Sequence, residues 1–117
     1  MKNYQKTSVA ADARVELHDA LGLTGAEVSI NILPAGTGVP FVHIHQQNEE
    51  IYGILEGKGS AVIDGETIDL HAGDWLRVAP AAKRQFSAAA DCAIKFVCIQ
   101  AKAGSLEGYT AGDALPG

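Results

Sequence analysis

The 117-residue chain predicts an all-β fold, a small sandwich or barrel. Three observations carry that expectation. Short runs alternate apolar and polar residues with period two, the pattern of a strand with one covered face. Gly, Pro and Asp clusters punctuate those runs at regular spacing. No stretch carries a convincing helical period, and the count of strands comes to about nine.

Residues 1–12 are polar and read as irregular, with the option of adding an edge strand to a partner. From Ala13, the run ARVELHDAL sets Val15 and Leu17 against Arg14, Glu16 and His18, a half-buried strand closed by a turn over Gly22–Gly25. AEVSINIL follows, with Val28, Ile30 and Ile32 on one face and Glu27, Ser29 and Asn31 on the other. Pro34, Gly36 and Gly38 break the pattern into a loop. A strand through the histidines and a strand from Glu50 to Leu55 come next, then a turn over Glu56–Gly59. In SAVI-Asp64-Gly65-ETIDL, Asp-Gly between two alternating runs signals a type I′ hairpin, because both central residues tolerate positive φ.

His71 to Asp74 reads as a turn, WLRVAP as a strand, and Pro80 to Arg84 as a loop. Gln85-Phe86-Ser87 is a short strand, and Ala88 to Asp91 turns into CAIKFVCIQA, a last strand apolar on both faces. Cys92 and Cys98 then stand roughly 20 Å apart at ~3.3 Å per residue. That is too far for a disulfide, so both are expected as reduced, buried thiols. Trp75 and Phe96 are assigned to the core or a cavity wall, His18 and His71 to the surface. The glycine-rich tail AGSLEGYTAGDALPG has no period and reads as a loose segment over an opening.

At this length one domain, residues 1–117, is expected. A net charge of −5 with scattered lysines lacks the basic stripe of a nucleic-acid binder. No run approaches the ~18 uninterrupted apolar residues of a membrane span, and no apolar leader opens the chain. A cytoplasmic location follows as the default expectation.

Chemistry concentrates between Gly36 and Gly59. Alternation puts His43 and His45 on one face of an extended segment, with Ile44 on the other. A hairpin through Gln46-Gln47-Asn48 would bring Glu50 beside them, and the offset favours Glu50 over Glu49. Two imidazoles and a carboxylate on one face make up a facial triad, which holds a divalent ion and leaves positions open. Tyr52 would share that face.

His43, Ile44, His45, four residues, Glu50, six residues and Gly57 resemble the first motif of the cupin superfamily, G-x5-H-x-H-x3,4-E-x6-G. The resemblance is to small single-domain cupins with one conserved barrel, and covers roughly residues 26–100. It implies a jelly-roll barrel, the double-stranded β-helix, with an N-terminal strand region and a glycine-rich C-terminal tail outside the core. It also implies one divalent metal, Fe, Mn, Ni, Zn or Co, held by His43, His45 and Glu50, and a homodimer formed through an apolar outer sheet. The family's second motif ends in a further histidine. Here PAAKRQF stands in its place, putting Gln85 or Arg84 at that position. Gln85 offers an amide oxygen as a weak fourth ligand, whereas Arg84 has no lone pair to give.

Three classes stay open, one of them a purely structural or assembly role that an apolar barrel exterior could serve; the other two place a small molecule in the barrel. Of those two, one is a metal-dependent enzyme of dioxygenase or sugar-isomerase type, with Glu50 and Tyr52 as catalytic candidates. The other is a non-catalytic small-molecule binder, without metal. In either, a small polar or anionic ligand is expected to meet Tyr52, Arg84 and Lys83, the two cations matching a carboxylate or phosphate.

Overall fold

The computed structural model describes residues 2–109 and 112–117. Seven strands and one helical turn follow in the order β1 (Arg14–Glu16), α1 (His18–Leu21), β2 (Glu27–Leu33), β3 (Asn48–Ile63), β4 (Glu66–His71), β5 (Trp75–Val78), β6 (Arg84–Ala88) and β7 (Ile94–Lys102). All pairings are antiparallel. The run from Ala13 to Leu21 is therefore a three-residue strand and a helical turn, which Gly22 ends at φ 64°. Among the described residues no helix is long and apolar enough to cross a membrane.

β3 organises the barrel. Its first half pairs with β7 on one side and β5 on the other, and its second half pairs with β4 and β6. The expected turn over Glu56–Gly59 does not form; the strand runs through it with a register shift between Ile54 and Glu56. Gly57 makes the bend, at φ 79°. A bulge at Leu55 followed by a glycine with positive φ lets one strand leave one sheet and enter another. The Asp64-Gly65 hairpin forms as expected, at φ 50° and 85°, with Ile63 opposite Glu66.

The register sets which residues face inward. Tyr52, Ile54, Ala61, Leu70, Val78, Phe86, Ile94, Phe96 and Cys98 form the core. Tyr52 stacks on Phe86 with ring centroids 4.1 Å apart. On β2 the period is as read but the sides are reversed: Ser29 and Asn31 are buried while Val28, Ile30 and Ile32 stay half-buried on the outer face. The polar residues are satisfied there, since Asn31 Nδ2 donates to Ser29 Oγ at 3.0 Å. Trp75 is also outside, 61% exposed and lying over Gly53. Cys98 is buried, but Cys92 precedes β7 and is only half-buried. β7 buries one face, with Lys95, Val97 and Ile99 on the half-covered other face.

Candidate metal centre

His43 and His45 lie outside any regular strand, in an extended segment tied to the loop and strand that follow β5. His43 N–H donates to the Arg84 carbonyl (3.2 Å), Arg84 N–H returns to His43 (3.1 Å), and His45 N–H donates to the Pro80 carbonyl (2.9 Å). The two rings meet edge to face, centroids 5.2 Å apart. Glu50 reaches them from β3. One ligand atom from each of His43, His45 and Glu50 falls within 4.8 Å of the others. The grouping expected from the sequence is present, built by backbone pairing rather than by a histidine hairpin.

Glu50 is 3% exposed and heavily bonded. Its Oε1 accepts from Tyr52 OH (2.5 Å) and Arg84 Nη1 (2.8 Å), and its Oε2 accepts from Cys98 Sγ (3.3 Å). Burial pushes its carboxyl up, but the hydrogen bonds from Tyr52, Arg84 and Cys98 outweigh this and hold it below the usual range. His43 is pulled below its ordinary value, by burial above all and against the attraction of Glu50. Burial and the nearby Glu50 push the Cys98 thiol up to about 12. The Tyr52 phenol is raised too, chiefly by burial, so both stay protonated as donors.

The imidazoles are less well served. His45 Nε2 lies 3.2 Å from Glu50 Oε2 without hydrogen-bond alignment, and His43 Nε2 is 3.9 Å from Oε1. His43 Nδ1 and His45 Nε2 are buried with no hydrogen-bond partner. Such orphaned lone pairs or N–H groups are costly. Together with the nearby carboxylate they fit a divalent cation better than an empty apolar space.

Arg84 corrects the expectation of a ligand-binding cation. It is fully buried, and its guanidinium donates to Glu50 Oε1 and to the carbonyls of Ala79 (2.6 Å), Pro80 (2.7 Å) and Ala82 (2.8 Å from Nη2, 3.1 Å from Nε). All three nitrogens are engaged inside the protein. Lys83 is exposed, with its backbone N–H on Asp64 Oδ1 (2.8 Å), and does not line the cavity. Gln85 does line it, its Nε2 donating to the Val39 carbonyl at 2.7 Å.

A cavity of about 610 Å³ opens over this cluster, a size that suits a small molecule. Its wall is mainly apolar, with Leu33, Val39, Phe41, Phe86 and Phe96 among the lining residues. Arg14, Asn31 and Gln100 also line it. The sequence reading missed these three because period-two alternation identifies a strand's faces, not which of them looks into a cavity.

The cupin domain model matches residues 29–100. The chain belongs to the cupin family. This cupin is similar to a cupin protein from Bacteroides fragilis whose crystal structure is 74% identical, with TM-score 0.97 over 100% of this chain and 99% of that one. A putative sugar phosphate isomerase from Acidithiobacillus ferrooxidans shares the fold at 24% identity and TM-score 0.67, covering 76% of this chain and 59% of that one. So does a predicted oxalate decarboxylase from Thermotoga maritima, at 23% identity and TM-score 0.58 over 66% and 64%. Among curated proteins, an uncharacterized protein of Methanocaldococcus jannaschii is 31% identical over 67 residues. That match covers 57% of this chain and about half, 53%, of the relative.

Proposed function

We propose that this cupin holds one divalent transition metal through His43, His45 and Glu50, and presents it to a small polar or anionic ligand in the cavity. The observation that carries the reading is the pair of buried, unpartnered imidazole nitrogens beside a buried carboxylate. Oε1 of Glu50 is pinned by Tyr52 and Arg84, while Oε2, which accepts only from Cys98 Sγ and lies on the His45 side, keeps a lone pair for the ion. Gln85 is the candidate fourth ligand, since anchoring its amide nitrogen on Val39 leaves the amide oxygen free. When bound, the metal would supply Lewis acidity to a ligand oxygen.

The protein's own side chains offer little acid–base chemistry. Tyr52 and Cys98 are held protonated, and Glu50 is committed to Arg84. An activity of dioxygenase or isomerase type would therefore rest on the metal, with Tyr52 and Glu50 as positioning groups. The rival reading is a non-catalytic binder without metal. One observation favours it: the Arg84 guanidinium already neutralises Glu50.

Metal binding decides between them. Chelator-treated protein titrated calorimetrically with Zn²⁺ and Mn²⁺ is expected to take up one equivalent, and His43→Ala or His45→Ala to weaken uptake about 100-fold or more, beyond the effect of losing an outer partner. Unchanged affinity in both variants would remove the metal from the proposal.

We further propose a homodimer in the cytoplasm. The outer face of the sheet carries Ile30, Ile51, Leu55 and Trp75, the last two 45% and 61% exposed. Such a face buried against a second copy would double the 12.2 kDa mass. Light scattering at micromolar concentration is expected to give twice the chain mass, and a monomeric value would count against it.

A further inference from the structure

The cavity wall carries its own clue to the ligand, one that rests on the reading of a ligand-binding cavity. Among the described residues, two charged side chains other than the histidines line it, Glu50 and Arg14. Glu50 is neutralised from behind by the buried Arg84. Arg14 is left as the charge facing the cavity, with only the exposed Glu16, 3.8 Å away, as a loose ion-pair partner.

Arg14 sits on β1, opposite Asn31 of β2, which is in turn opposite Phe96 of β7. Phe96 is paired with Ile54 of β3, so Arg14 begins an inward-facing row that crosses the sheet. Glu50 is four residues before Ile54, two inward-facing positions further along β3. The cation and the imidazole cluster line the same cavity, and Arg14 acts electrostatically on His43. Phe86 and Phe96, rings 5.6 Å apart and stacked, lie in its wall.

The guanidinium is aimed but not used up. Nη1 donates to Asn31 Oδ1 at 2.8 Å, and Asn31 is itself buried and braced on Ser29. The nearest carboxylate, Glu16, is 3.8 Å from Nη2, too far for a hydrogen bond, and 61% exposed. Among the described residues the remaining donors of this five-donor fork have no partner. A planar, bidentate anion such as a carboxylate matches them.

We infer that Arg14 anchors the anionic end of a small carboxylic acid with an apolar body, whose remainder packs against Phe86 and Phe96 on the way to His43 and His45. The same wall argues against a polyol. Hydroxyls facing Leu33, Val39 and Phe96 would lose water without gaining hydrogen bonds. The sugar phosphate named for one structural relative therefore fits this cavity poorly.

The probe is phenylacetate, with phenylacetamide as its neutral match and ribose 5-phosphate as the polyol anion. Binding is measured by titration calorimetry or ligand-observed NMR on the full chain, both chelator-treated and Zn²⁺-loaded. Phenylacetate is expected to bind about five- to tenfold tighter than the amide, a modest ratio because Arg14 is 53% exposed and solvent screens it. Arg14→Gln should erase the ratio, and Glu16→Gln should raise it. Both residues lie on an exposed edge strand, so neither change threatens the fold. Equal affinities for acid and amide, a ratio that survives Arg14→Gln, tighter binding of ribose 5-phosphate, or no binding of phenylacetate would each overturn the inference. The ratio should persist in chelator-treated protein, so failure of metal uptake sinks the metal reading and leaves this one standing.

Discussion

Replacing Arg84 with Met is expected to destabilise the metal-free protein by about 3–5 kcal/mol, the cost of leaving one partner of a buried ion pair behind. Domains of this kind are stable by only ~5–15 kcal/mol, so much of that margin would go. The cause is twofold. Glu50 would keep a buried charge with only neutral donors, Tyr52 and Cys98, beside it. The carbonyls of Ala79, Pro80 and Ala82 would lose the donors that now close their loop. Combining Arg84→Met with Glu50→Gln removes both charges and should recover a large part of the loss. Urea denaturation of the two single variants and the double variant measures this coupling. A single Arg84→Met variant that unfolds at the wild-type midpoint would show that the pair contributes nothing to stability.

Gly57→Ala should be comparably severe, about 3–5 kcal/mol. A Cβ at this position would overlap the Ala93 carbonyl oxygen, a backbone atom just ahead of β7 that accepts from Lys58 N–H, and φ is 79°. Overpacking and a left-handed backbone for a residue with a Cβ add. Gly65→Ala is the matched control. Its φ of 85° carries the same backbone penalty, but nothing lies within 4 Å of the new Cβ. A loss of about 1–2 kcal/mol is expected there. Equal melting temperatures for the two variants would mean that β3 tolerates a shift away from Ala93 at its bend.

These two glycines also mark where local reading succeeds and where it fails. Asp64-Gly65 turns the chain on its own, through φ values that its residues prefer, so the hairpin is legible from four letters. Gly57 has the same backbone preference, yet it bends a continuous strand. Only its pairing with Ile94, 37 positions away, distinguishes a bend from a turn. The histidine–carboxylate cluster was legible because motif spacing tracks spacing along extended backbone. Arg84 was misjudged for the opposite reason. Its place beside the site was foreseeable, but a side chain's choice between the cavity and Glu50 depends on three carbonyls supplied by the loop before it. Arg14 and Asn31 were lost to the assumption that polar residues on an alternating strand face solvent.

The long β3 strand also shapes how the chain must acquire its structure. Its partners β4, β5 and β6 follow directly, but along its first half the edge opposite β5 is covered by β7, which ends at Lys102. During synthesis β3 therefore leaves the ribosome well before the strand that covers that edge. Until β7 arrives, the hydrogen-bonding edge from Asn48 to Gly57 stays open, with Tyr52 and Ile54 on one face and Ile51 and Leu55 on the other. Such an edge can pair with another nascent chain. Pairings this distant in sequence are slow to form. Glu49 and Glu50, adjacent on that edge, put charge on both faces of the waiting strand and oppose its pairing with an identical copy.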